Sequence, residues 1–347
     1  MEKNKSTKDF ITSKTFRDIA DLVYSETVSL EEFDRLDNQN LTIVSTTNTK
    51  DHKSITYKKN IFDLHDNDII FSNTDLIEDL FFHLKKISNL KNITLISSES
   101  DKPVNKKLFN KKPDFVERWF STNILYEDSS LISIPLGLAN SYSKKNINKQ
   151  NLENIEFLKF DKQKQFKMLI NFRVNTNFSE RRKIYDKFKN FDWVVVDSPE
   201  NTIENYIQKI KENDLVMCPW GNGIDTHRVF ETLYLGAVPV IKYHPTYKYL
   251  DDLPAILVKD LRKVDFKILN QSMQKLSQKE FNMEKLTSSW WENLIRNENE
   301  KIFKIRIYES KSENKELEIK YKNKLKFKSK EKKIKYFIRR FRKFLNI

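Results

Sequence analysis

The sequence predicts an α/β fold in two lobes. Three observations carry the prediction. Short apolar runs alternate with amphipathic segments over residues 60–140, and the same alternation returns over 168–258. A polar stretch rich in Lys and Asn, residues 141–165, separates the two series and reads as a linker. The chain, at 347 residues, is long enough for two ordinary domains.

Taken in order, residues 1–50 mix polar text with a helical pattern at Phe16, Ile19, Ala20, Leu22 and Val23. Asp68 to Ser72 reads as a buried strand, Leu76 to Ile87 has helical spacing, and Ile93 to Ile96 is the next strand. Strand, helix and strand with short connections imply βαβ units and a parallel sheet. Ile132 to Leu138 reads as a further strand that ends in a turn at Pro135 and Gly137. Beyond the linker come strands at 168–172, 193–196, 215–218, 238–241 and 256–258, with helices at 180–188, 203–210 and 228–235. No repeat of solenoid period is present.

Composition narrows the function. With 25 Phe and 13 Tyr, the chain can build cores. One cysteine, Cys218, excludes an internal disulfide framework and a Cys-type zinc site, which suits a reducing compartment. The opening MEKNKSTKDFITSKTF has no apolar core of signal-peptide length, and no stretch approaches the roughly 18 apolar residues of a spanning helix. The expectation is a soluble, cytoplasmic protein, attached to a membrane only peripherally. Residues 301–347 hold 18 Lys and Arg against 5 Asp and Glu, so this tail carries +13 of the net +14. A nearly neutral body argues against a nucleic-acid enzyme, whose basic channel would run through the body.

The chain has four glycines, Gly137, Gly221, Gly223 and Gly236, and three fall within 16 residues. Such clustering marks backbone positions where a side chain would not fit. The strand ending at Cys218 runs into Pro219-Trp220-Gly221-Asn222-Gly223, and a helix follows. A loop at the C-terminal end of a parallel strand, leading into a helix N-terminus, is where α/β sheets bind phosphates. Asp225 and Thr226 are placed to cap that helix. Arg228 in its first turn suits a diphosphate as a bidentate partner. Glu231, three residues on, shares that face and can accept two hydrogen bonds from a ribose diol. His227 can bond a phosphate or a sugar hydroxyl. Plainer readings exist for each: a tight turn, a surface ion pair, a satisfied buried histidine. Their co-occurrence in one loop–helix unit favours a nucleoside diphosphate.

The run GNGIDTHRVFETLYLGAVPVI resembles the donor-binding signature of exostosin-like (family 47-like) glycosyltransferases and related bacterial and viral surface-glycan enzymes. Those show a Pro-x-Gly-(Asn/Asp)-Gly turn, then Arg-x-Trp-Glu-Ala-Leu, then Gly-x-(Ile/Val)-Pro-Val. Phe230 here replaces the Trp and Thr232 the Ala. The likeness covers roughly 166–260, with a fainter part from 68 to 140. It implies a GT-B fold: two Rossmann-like domains facing a cleft, with residues 1–145 for the acceptor, 146–300 for the nucleotide-sugar, and 301–347 a basic helical tail. It also implies that Arg228 contacts the diphosphate and Glu231 the ribose. The implied reaction is hexosyl or pentosyl transfer to a glycan or lipid-linked glycan.

The remaining site expectations follow the sheet edges. Arg173, after the first strand of the second lobe, is placed to reach the donor phosphates. Arg181 and Arg182 open the next helix and read as surface charges. In the first lobe Asp75, Glu99 and Asp101 follow strands on the edge that should face the acceptor. They are the candidates for the general base that an inverting transfer needs. Pro135-Leu136-Gly137 is expected to shape a cleft loop. Asp66-Asn67-Asp68 has the spacing of a metal-holding carboxylate pair but precedes its strand and reads as a turn. No metal and no cofactor are expected, the nucleotide-sugar being a substrate and its charge falling to Arg and the helix dipole.

Residues 334–345 set Ile334, Phe337, Ile338, Phe341, Phe344 and Leu345 at helical spacing, with Lys and Arg between them. A basic helix with such a face suits an anionic membrane surface, and residues 320–347 are the expected contact. A helix docked on the protein's own body is the alternative. A catalytically inactive nucleotide- or glycan-binding protein is the second reading of the whole chain. A nucleic-acid-binding protein is the third, and it leaves 218–241 unexplained.

Overall fold

The computed structural model describes residues 9–48, 53–143, 146–155, 166–199, 202–296 and 304–309, with scattered positions between 315 and 334. The architecture is α/β, built on one mixed sheet and one parallel sheet.

The first half runs Thr15–Asp18 (α1), Leu22–Ser29 (β1), Leu30–Asp34 (α2), Leu41–Asn48 (β2), Lys53–Lys59 (β3), Ile61–His65 (β4), Ile69–Asn73 (β5), Ile77–Leu84 (α3), Ile93–Ser98 (β6), Lys106–Phe109 (α4), Val116–Ser121 (β7) and Leu131–Ser133 (β8). Seven of its strands form a sheet in the order β2-β3-β1-β5-β6-β7-β8. From β1 to β8 the neighbours are parallel, while β3 and β2 add an antiparallel edge. Every residue of β5 and β6 is buried, as expected of parallel strands covered on both faces. The helix read into Phe16–Val23 stops after one turn. Asp21 instead exchanges hydrogen bonds with Ile69 through its amide and its carboxylate, 2.9 Å each, and so starts β1 beside β5. The aromatic and β-branched run Leu22–Val28 then fits a pleated surface better than a helix.

The second half runs Met168–Ile170 (β9), Phe178–Phe188 (α5), Val194–Val196 (β10), Ile203–Lys211 (α6), Leu215–Met217 (β11), His227–Tyr234 (α7), Val238–Lys242 (β12), Ile256–Val258 (β13), Phe266–Leu276 (α8) and Ser288–Ile295 (α9). Its five strands are all parallel, ordered β10-β9-β11-β12-β13. From β9 the chain steps outward to β10, then crosses back to β11 on the other side. The connections on either side of this reversal diverge, and a crevice opens above the C-terminal ends of β9 and β11.

The largest apolar cluster is shared by the two sheets. Phe71, Ile96 and Phe120 of the first share it with Val216 of the second and with Phe230, Leu233 and Tyr234 of α7, and Phe16 and Trp291 belong to it too. Tyr234 also accepts from the Ile11 amide and donates to the Leu286 carbonyl, both 2.8 Å. The expected linker joins this packing where it is described: Ile147 and Leu152 are buried in the same cluster, and residues 156–165 lie outside the described residues.

A last strand, Lys304–Tyr308 (β14), lies within the segment expected to be a helical tail and pairs antiparallel with β4. Just beyond it, Glu309 enters a buried polar cluster. Lys58 Nζ stands 2.8 Å from Asp79 Oδ2 and 2.9 Å from Glu309 Oε2, and His83 Nε2 stands 2.7 Å from Glu309 Oε1. Of the helix expected over 334–345, Ile334 is helical and exposed, and residues 335–345 lie outside the described residues.

Candidate functional site

The β11 strand delivers Cys218 with its thiol buried and pushed up to about 12 by that burial, so it is no nucleophile at neutral pH. The loop then folds tightly, with the Gly221 amide donating to the Gly223 carbonyl at 3.0 Å. Asn123, from the loop after β7, reaches over from the first sheet. Its side-chain oxygen accepts from the amides of Ile224 (3.0 Å) and Asp225 (2.8 Å), and its nitrogen donates to Ser100 at 3.3 Å. Its backbone is left-handed, φ 55, a conformation Asn adopts more readily than most residues.

The Asp225 carboxylate is bonded within the protein. It accepts from the amides of Thr226 (2.8 Å) and Leu136 (3.0 Å) and from the Tyr249 hydroxyl (2.8 Å). Burial raises its pKa to about 6 despite these bonds. Thr226 is the N-cap residue of α7, but its hydroxyl makes no capping bond. Asp225 thus ties the loop to Leu136 and Tyr249, and both Asp225 and Thr226 border the cavity above. His227 Nδ1 lies 2.8 Å from the Gly137 carbonyl, tying α7 to the loop after β8. Gly137 is required there: at φ +68, a Cβ would lie 2.6 Å from the Ile11 carbonyl oxygen.

Above this frame lie two adjoining cavities of about 250 Å³ each, sharing Asn146, Gly221, Asn222 and Arg228. The first also meets Gly223, Asp225, Thr226, His227 and Glu231, and the second meets Arg173. All nine residues expected at a donor site therefore border one space. Charge is divided along it: Asp101, Asp225 and Glu231 lie in the first cavity, Arg173 and Arg181 in the second, and Arg228 in both.

Glu231, 3% exposed, accepts from the Tyr206 hydroxyl at 3.1 Å and from the Ile147 amide. Burial lifts its pKa above the usual carboxylate value, with Arg228 and His227 opposing. Burial also works against the charge on Arg228, yet Tyr206 and Glu231 outweigh it and hold the guanidinium above its ordinary value. Arg228 Nε is buried with no hydrogen-bond partner.

The three candidate bases separate. Asp101 lines the first cavity, and a Cβ on Gly223 would lie 2.9 Å from its Oδ1, so the glycine lets the carboxylate and the loop approach. Asp75 and Glu99 are not among the cavity-lining residues. Asp75 accepts from the Ser100 hydroxyl at 2.9 Å and braces the loop from behind. Glu99, left-handed at φ 59, accepts from the Thr27 amide at 2.6 Å, while its other oxygen is buried without a partner. Burial raises its pKa to about 8, against the Thr27 bond and with Glu26 adding to the rise.

Arg181 is not a surface charge. It is 4% exposed and donates to the carbonyls of Arg173, Pro219 and Trp220. Arg182 is exposed and pairs with Asp186. Asn123, Tyr206 and Arg181 were not expected here, since no local pattern marks a polar residue that only distant partners bury.

Asp66-Asn67-Asp68 forms a turn, with Asp66 accepting from the Lys91 amide (2.8 Å) and Asp68 from the His65 amide (2.7 Å). Among the described residues the group with metal-ligand spacing is Asp79, His83 and Glu309, whose ligand atoms lie within 4.8 Å of one another. The Lys58 ammonium bonds both carboxylates, supplying the positive charge an ion would bring.

Over residues 173–311 the chain is similar to the family described as the RXYLT1 C-terminal domain, a xylosyltransferase-related family, and this match points to a glycosyltransferase. It begins at Arg173 and takes in every donor-side residue, but not Asp75, Glu99 or Asp101. No curated protein matches the chain.

Proposed function

We propose that this chain is a GT-B, exostosin-like glycosyltransferase that moves a hexosyl or pentosyl group from a nucleotide-sugar to a glycan or lipid-linked glycan. In this reading residues 1–145 present the acceptor and 146–300 hold the donor. One observation carries it: a charge-divided trough at the strand-order reversal of the parallel sheet, with Arg173 and Arg181 at one end, Asp101 at the other and Arg228 where the two cavities meet.

The diphosphate lies at the basic end, against Arg173, Arg228 and the start of α7, where helix dipole and guanidinium groups favour an anion. Glu231 takes the ribose diol with the acceptor capacity left beside Tyr206 and Ile147. The sugar then lies toward Gly223 and Asp101. Asp101 takes the proton of the acceptor hydroxyl as that oxygen bonds to the anomeric carbon. The bond from the anomeric carbon to the diphosphate oxygen breaks, and the nucleoside diphosphate leaves with the electron pair, its charge met by the arginines. The transfer needs no metal in this scheme. Residues 320–347 hold the enzyme peripherally on the anionic, cytoplasmic face of a membrane.

A thermal-shift screen of common sugar nucleotides tests the donor site, since a ligand that binds the folded state raises its apparent stability. One donor should raise the melting temperature of wild type, and Arg228→Gln should abolish the shift. Asp101→Asn should keep the shift and lower transfer or donor hydrolysis by about 10²- to 10⁴-fold. A chain stabilised by no donor, or an Arg228→Gln chain stabilised like wild type, would overturn the reading.

A further inference from the structure

Arg181 is a buried charge beside the trough that the proposed reaction leaves without a role. It sits in the first turns of α5, and its side chain runs beneath two loops at the strand-order reversal. Nε donates to the Trp220 carbonyl at 2.8 Å and Nη2 to the Pro219 carbonyl at 3.0 Å. Nη1 donates to the Arg173 carbonyl at 3.0 Å and to the Thr176 hydroxyl at 2.5 Å. The guanidinium lies over the Phe172 ring, 5.4 Å from its centroid. All four acceptors are neutral, and among the described residues no carboxylate lies within ion-pair reach.

Two properties follow. A planar fork with donors on three nitrogens joins the loop after β9 to the loop after β11 as one body, which a single ammonium nitrogen would not span. The carbonyls that satisfy its hydrogen bonds do not cancel its charge, and an ion removed from water is costly unless a counter-charge is supplied. Burial lowers its pKa to about 10, with the like charge of Arg228 adding to the effect, so the guanidinium remains charged at neutral pH. Its Nη2 lies 3.3 Å from where a Cβ on Gly221 would stand, at the floor of the trough. Arg173, Arg181 and Arg228 all line the second cavity, and among the described residues no Asp or Glu does.

We propose that Arg181 is the positioning residue of the diphosphate site: it fastens the two loops together through neutral oxygens and leaves its positive charge for one anionic group lodged across both. The inference rests on the diphosphate reading given above. It deepens that reading by assigning the alignment of the two loops to a side chain beneath the ligand rather than to one that grips it.

Inorganic pyrophosphate is the probe, titrated calorimetrically into the full chain at several salt concentrations. Wild type should bind, and Arg228→Gln should bind weakly. Arg181→Lys keeps the charge but not the fork, and should weaken binding about tenfold or more. Arg181→Gln, which drops the charge, should also flatten the salt dependence, a change that a purely structural role would not produce. Thr176→Val removes the hydroxyl that accepts from Nη1 and donates to the Arg173 carbonyl at 3.0 Å, so it loosens the same junction without touching the charge, and should fold normally, keep the salt slope and lose affinity. That variant decides the matter should the Arg181 variants fail to fold. Wild-type affinity in Thr176→Val, or in folded Arg181→Lys and Arg181→Gln chains, would overturn the inference while leaving the diphosphate site intact. Failure of wild type to bind pyrophosphate would remove both.

Discussion

Glu99 and Asp101 stand two residues apart on one loop and meet opposite fates. Asp101 reaches the trough; Glu99 turns back over the sheet edge, where its left-handed backbone and half-satisfied carboxyl store strain. The difference has a measurable sign. Glu99 has a folded pKa of about 8 against an ordinary 4.5, so between those values the native chain holds a proton that the unfolded chain has released. Its contribution to stability is complete below 4.5 and is lost as pH rises through 8. Urea denaturation at pH 5 and pH 8 should show wild type losing on the order of 2 kcal/mol relative to Glu99→Gln, allowing for partial exposure. Parallel pH profiles for the two proteins would refute the assignment. At this scale the loop after β11 was legible as a unit because its residues are contiguous: Gly221 to Glu231 is one turn and one helix start. Asn123 and Arg181 were not, because each acquires its role from partners far along the chain, Asn123 from Asp225 and Arg181 from Trp220. A sequence shows that such residues are polar; only the fold decides that they are buried.

The parallel strands were legible for a different reason. Runs such as Ile69–Phe71, Leu215–Met217 and Val238–Ile241 are apolar on both faces, and a strand buried on both sides leaves that signature. The antiparallel edge hid itself. Lys53–Lys59 reads as polar, yet Lys58 is 2% exposed, because its ammonium is met by Asp79 of α3 and Glu309 beyond β14. β14 was missed likewise: an alternating KIRIY segment inside a basic stretch gives no sign of its partner. Lys58→Met should leave Asp79 and Glu309 as buried carboxylates facing each other and cost about 3–5 kcal/mol. Amide exchange at Lys304–Tyr308 should accelerate first, since Glu309 anchors that strand. Unchanged protection there would show that the ammonium does not hold β14 in place.

For the molecule as a whole, the sequence announced two α/β halves and concealed how firmly they are joined. The boundary is crossed by a shared apolar cluster, by Tyr234 and by the Asn123 clasp. Asn123→Gly keeps the left-handed backbone and removes the acceptor, leaving two amides of the loop after β11 unpaired at about 2 kcal/mol. Hydrogen exchange should quicken at Ile224 and Asp225 while β12 stays protected. If those amides exchange as slowly as before, the clasp is not what fixes the loop against the first sheet.

The pairing of β4 with β14 has a consequence for the order of assembly. Synthesis is vectorial, and domains ordinarily fold as they emerge, N-terminal first. Here the first sheet's neighbour β4 finds its partner, and Lys58 its second carboxylate, only after the entire parallel sheet has been translated. The early half must wait on the ribosome with a strand edge open and a lysine half-neutralised. Its completion registers that the parallel-sheet half has been made.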